Sequence, residues 1–126
     1  STEPAAPTAQ KVPRPVPETD SFVTTYFTFP DPLTTNPAGS RRFVQLTVSL
    51  STQYDAQVMT HVETHKVALQ SDMLAVIGSF AEDQMTSLDG RAQLANALRD
   101  AINARLETLE GFGGIEDVFF PSFVVQ

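Results

Sequence analysis

Alternating hydrophobic and polar positions mark three parts of the chain as β-strands. The clearest is residues 42–51, which point four aliphatic side chains one way and three polar ones the other: Val44, Leu46, Val48 and Leu50 against Gln45, Thr47 and Ser49. The β-branched and aromatic run at residues 21–29 predicts an earlier strand, which the prolines of residues 30–32 end. A third strand is predicted over residues 115–125, with Pro121 marking an edge or a kink. Such one-sided strands are typical of an antiparallel or mixed sheet that is covered on one face.

A period of 3.6 residues predicts two helices between the second and third strands. The first begins after Asp55, which can cap it, and runs to about Phe80, with a break near His65 left open. The second begins after Ser87 and ends at Gly111, and its aliphatic residues form one stripe: Leu94, Leu98, Ile102, Leu106 and Leu109. This stripe predicts a core contact, and a groove for a partner helix is the alternative.

The element order is therefore predicted to be β-β-α-α-β. This order predicts an α+β domain, in which two helices pack on one face of a small antiparallel or mixed sheet. We assign the domain to residues 21–126.

Residues 1–20 differ in composition from the rest of the chain. They consist mostly of Pro, Ala, Thr, Val and charged residues, and prolines alternate with other residues over residues 13–17. This pattern favours extended polyproline II geometry and offers little apolar surface to bury. We interpret the segment as a semi-stiff linker; a proline-rich peptide ligand is the alternative.

Composition and charge exclude several classes of function. The 126-residue chain has 8 Lys and Arg against 15 Asp and Glu, a formal net charge of −7, which argues against binding to nucleic acid or to anionic lipid. It has no cysteine, so disulfides and thiol chemistry are absent. Its apolar runs are too short to span a membrane. Because it begins with Ser rather than Met, we expect that an N-terminal targeting or anchoring segment has been removed.

Candidate catalytic and metal-binding residues are few. His61 and His65 share one helical face and could ligate a metal, but Val62 stands where a metalloprotease has Glu, and the sequence offers no evident third ligand. The glycines of residues 111–114 follow a helix instead of preceding one, which disfavours a phosphate loop. We therefore expect no enzyme activity, no cofactor and no metal. A metal-dependent enzyme that uses His61 is the alternative.

A basic pair, Arg41 and Arg42, precedes the clearest strand of this acidic chain. It suits contact with an acidic partner or a neighbouring subunit. A solvated loop end is the alternative interpretation.

Several segments, taken in order, resemble the flagellar basal-body-associated FliL family. They are Arg42-Phe43-Val44, the acidic and aliphatic step at residues 71–74, the run at residues 81–91 with the leucine-spaced helix and its Ile102-Asn103 pair, and the ending at residues 115–126. The resemblance covers residues 26–126. The chain departs from the family at residues 29–36, where the family often has a Pro-Phe-x-x-Asn-Leu element, and near His65, where the family often has a proline.

The resemblance implies a non-enzymatic accessory protein of the bacterial flagellar motor. Members of the family are single-pass inner-membrane proteins whose periplasmic domain is similar to the stomatin/prohibitin core, associates with the stator units and assembles into rings. For this chain, residues 1–20 would be the juxtamembrane linker after an anchor, and the partners would be stator proteins and further copies of the chain. A periplasmic ligand- or peptide-binding module unrelated to motility is the alternative.

Two sets of residues are singled out in this way. The expected ring or partner interface comprises Arg41, Arg42, Gln45, Thr47 and Ser49, together with the exposed side of the first helix. The residues that carry the family signature are Asp72, Gly90, Asn103, Phe120, Phe123 and Gln126. Of these, we expect the aromatic residues to lie in the core, Gly90 to permit a tight helix start, and Asn103 to form a hydrogen bond in its helix.

Overall fold

The computed structural model describes residues 23–126, which form an α+β domain with one small antiparallel sheet. The predicted linker at residues 1–20 lies outside the described residues, as do Ser21 and Phe22. The elements follow in this order: β1 (Thr25–Thr28), β2 (Leu33–Thr35), β3 (Val44–Thr52), α1 (Ala56–Thr64), α2 (Lys66–Ile77), α3 (Glu82–Met85), α4 (Leu88–Glu110) and β4 (Asp117–Val125).

The long strand β3 is the centre of the sheet, and all its neighbours are antiparallel to it. β4 pairs with β3 from Val44 to Ser51 and so occupies one of its edges. β1 and β2 share the other edge: β1 pairs with the C-terminal half of β3 and β2 with its N-terminal half. Between β1 and β2 the pairing register slips by two positions at Pro30–Pro32, where proline cannot donate to a ladder.

The predicted order β-β-α-α-β is wrong in detail. It lacks β2, the short helix α3, and the division of the first helix into α1 and α2. β2 has only three residues, too few for alternation to reveal, and it follows directly on two prolines. The break in the first helix that the sequence left open is present, and it lies at His65. The backbone angles of His65, φ −107° and ψ 22°, fall outside the α-helical region.

The predicted helix ends are confirmed for both helices at their N-termini and for the second at its C-terminus. Asp55 accepts a hydrogen bond from the Gln57 N–H at 3.0 Å, and Ser87 Oγ accepts one from the Gly90 N–H at 2.9 Å. Gly111 ends α4 in the left-handed region at φ 84°. The first helix stops at Ile77, three residues earlier than predicted.

The core lies between the inner face of the sheet and the helices. Its fully buried members include the predicted aliphatic positions of both regions: Val44, Leu46, Val48 and Leu50 from β3, and Leu94, Leu98, Ile102 and Leu106 from α4. The stripe on α4 is therefore a core contact and not a groove for a partner helix. Leu109 is an exception, because it is 43% exposed.

Candidate functional site

The opposite face of the sheet, called here the outer sheet face, points away from the core. Because side chains alternate along a strand, the register places the following residues on it: Tyr26 and Thr28 of β1, Gln45, Thr47, Ser49 and Ser51 of β3, and Asp117, Phe119 and Val124 of β4. The domain therefore has one face buried by helices and one left open among residues 23–126.

Large apolar side chains on the outer sheet face remain exposed to solvent. Tyr26 is 64% exposed, Val124 46% and Phe119 43%. The rings of Tyr26 and Phe119 lie 6.1 Å apart and come from strands on opposite sides of β3. They can meet because the β3 residues paired with them are small: Ser51 opposite Tyr26, and Ser49 opposite Phe119.

The predicted strand residues Gln45, Thr47 and Ser49 do share this face, but they differ in exposure. Gln45 is exposed and Thr47 is half-buried, whereas Ser49 is only 7% exposed. The Ser49 hydroxyl lies 2.8 Å from the Thr28 hydroxyl, a hydrogen bond between neighbouring strands. The prediction that this is a polar face is therefore incomplete, because β3 is a central strand and its neighbours contribute aromatic residues.

Arg41 and Arg42 lie at the start of β3 with different surroundings. Arg41 is exposed, whereas Nη1 of Arg42 lies 2.9 Å from a carboxylate oxygen of Glu82 at the start of α3. The Ser40 hydroxyl donates to the other oxygen of Glu82 at 3.0 Å. Arg42 thus holds the β2–β3 loop to α3, whereas Arg41 has no ion-pair partner among residues 23–126.

The aromatic residues of the outer sheet face could not be identified as site residues from the sequence. Alternation gives the parity of Tyr26 and Phe119 within their own strands, but not that both strands flank β3. That information depends on the register of residues far apart in the chain. The sequence did contain one signal of this contact: serines alternate with aliphatic residues in β3, and such small side chains leave room for rings from the neighbouring strands.

Asp72 forms an ion pair between two helices. Its two carboxylate oxygens accept hydrogen bonds from Nε and Nη2 of Arg105, each at 2.8 Å, so the pair joins α2 to α4 bidentately. Hydrogen bonds from the Arg105 guanidinium, and then its positive charge, lower the pKa of the Asp72 carboxyl, although partial burial opposes this shift.

Gly90 and Asn103 each sit at a close contact with the backbone. A Cβ atom at Gly90 would collide with the carbonyl oxygen of Gln84, because α4 starts directly against α3. The Asn103 amide clamps the loop after α4: its Nδ2 donates to the Ile115 carbonyl at 3.0 Å, and its Oδ1 accepts from the Ile115 N–H at 2.8 Å. The expectation that Asn103 forms a hydrogen bond within its own helix is therefore wrong, because both bonds reach the loop after α4.

The remaining signature residues secure the last strand. Phe120 and Phe123 are half-buried and meet edge to face at 5.2 Å, and Arg91 lies 4.1 Å from the centre of the Phe123 ring. They pack at the margin of the core and not in its centre. Gln126 exchanges two backbone hydrogen bonds with Phe43, of 2.7 and 2.8 Å, and so extends the pairing of β3 with β4.

His61 and His65 face one buried carboxylate, that of Glu110. Nε2 of His65 lies 2.7 Å from one oxygen of Glu110, and Nε2 of His61 lies 3.6 Å from the other. Glu110 is 45 residues from His65 in the chain and was missed in the sequence. No group of three or more His, Cys, Asp or Glu residues in the described part of the chain is arranged to hold a metal ion.

Two shallow clefts lie on the surface of residues 23–126. One shallow, open cleft of about 360 Å³ lies beside the Asp72–Arg105 pair. Another of the same volume lies between Tyr54, Phe112 and Arg99.

None of the helices in residues 23–126 has the length and apolar character needed to cross a membrane.

A protein-family model matches most of the chain. Residues 26–126 match the family model described as flagellar basal body-associated protein FliL, over the same range as the resemblance drawn from the motifs. No protein with a curated description matches the chain.

Proposed function

Because the chain belongs to the FliL family of flagellar basal body-associated proteins, we propose that it is a non-enzymatic accessory of the motor that binds and stabilises the stator units. The family match carries this proposal, since it spans the described fold from the second residue of β1 to Gln126. A basal-body association and a role in motility follow from the family itself. The bracing of the stator is the finer step that we propose.

We place the domain in the periplasm, on a single N-terminal anchor in the inner membrane. Residues 1–20 would then be the linker between the membrane and the first strand. Their proline content suits a semi-rigid spacer, which would hold the domain at a set distance from the bilayer.

The one-sided sheet supports a role in assembly. An open face that combines exposed aromatic and aliphatic side chains with small hydroxyl residues resembles the centre of a protein interface more than a solvated surface. Tyr26, Phe119 and Val124 supply the apolar area, while Gln45 and Arg41 supply polar and charged groups beside it. We propose that this face contacts the next copy of the chain in a ring, whose head-to-tail contact is heterologous.

A ring around the stator would act by favouring one of its states. If the ring binds the engaged, extended form of the stator more tightly than the disengaged form, it shifts the population towards torque generation. The acidic charge of the chain, −7 at neutral pH, suits contact with basic segments of a partner.

The test is the location of the protein in cells. The gene product carries a fluorescent tag and is imaged in its own bacterium, in strains with and without the stator proteins. We expect foci at the flagellar bases that disperse when the stator is removed. Foci that persist without the stator would contradict stator binding, although they would agree with a place in the basal body.

Diffuse membrane fluorescence in both strains would contradict the motor role altogether. That outcome would favour the alternative, a periplasmic module that binds a ligand or peptide. In that case the cleft beside Tyr54, Phe112 and Arg99 would be the first place to look for the ligand.

A further inference from the structure

The cluster of His61, His65 and Glu110 has no role in the assembly argued above. It lies on the helix side of the sheet, in the interior of the domain, where ionisable groups are rare. His61 is 5% exposed and Glu110 9%. Within residues 23–126, neither ring nitrogen of His61 has a hydrogen-bond partner.

The cluster lies where two structural boundaries meet: the break between α1 and α2, and the C-terminal end of α4. His65 is the single residue that separates α1 from α2, so it forms the hinge of the divided helix. His61 lies one turn earlier, and the His65 N–H donates to the His61 carbonyl at 3.0 Å. Glu110 is the last residue of α4, the longest helix. The cluster thus ties the hinge to the end of α4.

We infer that His61, His65 and Glu110 form a pH-dependent latch between the α1–α2 hinge and the C-terminus of α4. An imidazole changes its charge between about pH 5 and pH 8. A hydrogen bond from a charged imidazolium to a carboxylate is roughly twice as strong as one from a neutral group. The hold of Glu110 on the hinge is therefore strong at pH values where the imidazoles are charged, and it weakens as the pH rises.

Among residues 23–126, the other charged groups on the elements around the cluster are paired with one another or exposed. Glu63 of α1 and Lys66 of α2 pair with each other at 3.7 Å, and Glu63 is 61% exposed. On α4, Arg105 is bound to Asp72 and Glu107 is exposed, as is Glu116 in the loop that follows. The inner face of β3 contributes uncharged side chains. Within residues 23–126, the ionisable groups that face one another at the hinge are thus the two imidazoles and the Glu110 carboxylate.

The latch is tested by a double-mutant cycle on the whole chain, with a chelator in all solutions to exclude trace metal. The unfolding equilibrium constants of the parent, His65→Gln, Glu110→Gln and the double variant are measured in urea at pH 6 and pH 8. We expect the coupling constant between His65 and Glu110 to be about fivefold larger at pH 6. A coupling that is equal at the two pH values would overturn the latch.

A control cycle pairs His65→Gln with Glu107→Gln, since Glu107 is an exposed carboxylate on the last turn of the same helix. We expect the coupling constant of this control cycle to stay near unity at both pH values. If it showed the same pH dependence, the cause would be the overall charge of the protein and not the contact between His65 and Glu110. That result would overturn the inference.

A second measurement needs only the parent chain, so it stands even if Glu110→Gln does not fold. Hydrogen exchange of the backbone amides of residues 65–69 is followed at pH 6 and pH 8 and corrected for the intrinsic rates. We expect greater protection at pH 6 than at pH 8 at the hinge, with amides in the middle of α4 changing less. Equal protection factors at the hinge would overturn the latch.

Discussion

At the scale of single residues, Gly90 has the least room for a side chain among the described glycines. The start of α4 lies so near to α3 that any Cβ at this position meets the Gln84 carbonyl oxygen. We expect Gly90→Ala to destabilise the domain by about 1–3 kcal/mol, because α3 would have to shift. Urea unfolding measures this change.

Gly78 provides the matched control for that substitution. It lies at the end of α2 at φ −68°, and a Cβ there would come no closer than 3.4 Å to the Leu74 carbonyl oxygen. Gly78→Ala should therefore be neutral or slightly stabilising, since alanine lowers the entropy of the unfolded chain. Equal losses at the two glycines would contradict the proposed contact between Gly90 and α3.

Asn103 gives the second prediction at this scale. Asn103→Ala removes both partners of the Ile115 backbone, which is buried, and we expect a loss of about 2 kcal/mol or more in the free energy of unfolding. The same change at Asn96, exposed on the same helix, should have little effect. Circular dichroism during urea unfolding distinguishes the two, and a similar small loss at both positions would contradict the clamp.

Contacts of this kind were only partly predictable. The sequence singles out Gly90 and Asn103 as signature residues, but their partners, Gln84 and Ile115, become visible only when the turns between elements are built. The pairing of Glu110 with the two histidines was missed for the same reason. Periodicity shows which face of its own helix a residue occupies, not which distant residue that face will meet.

At the scale of elements, α2 and α4 are joined by the Asp72–Arg105 pair as well as by their apolar faces. We expect Asp72→Asn to lower the melting temperature at neutral pH, because Arg105 loses a bidentate partner. The pKa of Asp72 is lowered in the folded chain, so the stability that the pair contributes is present above the ordinary pKa of the carboxyl. It is lost as the pH falls through the lowered value.

Thermal unfolding of parent and variant between pH 7 and pH 2 tests this expectation. The difference in melting temperature should be largest at neutral pH and should close at the acid end. Asp100→Asn is the control, since Asp100 is 71% exposed beside Arg99. Its effect should be smaller at every pH. A difference for Asp72→Asn that does not depend on pH would rule out the ion pair as its cause.

Elements with strong local signals were predictable, and those without them were not. The Asp55, Ser87 and Gly111 caps and the alternation of β3 follow from local chemistry, and the structure confirms them. The three-residue β2 is held by its pairing with β3, which no local pattern shows. The hinge at His65 was left open because a single residue that leaves the helical region barely disturbs the period.

At the scale of the whole molecule, the domain is asymmetric across its sheet. Each helix of residues 23–126 packs on the inner side, and the outer sheet face leaves Tyr26, Phe119 and Val124 exposed. Burying apolar area of this kind is the main favourable term in association. The outer sheet face is therefore the part of residues 23–126 on which the proposed assembly rests.

This asymmetry leads to a prediction about assembly. The double variant Tyr26→Ser and Phe119→Ser should keep the fold, because both side chains are largely exposed. When the full gene product with both changes is made in its own cells, we expect it to lose its cross-linked oligomers and its foci at the flagellar bases. The control is Leu88→Ser with Leu109→Ser, two residues of α4 that are 88% and 43% exposed and lie outside the expected interface. Removing a similar apolar area from the helix side should leave both the oligomers and the foci intact. Oligomers that survive the outer-face variant would overturn the placement of the subunit contact on the outer sheet face, and oligomers that disappear in the control as well would show that the loss is not specific to this face.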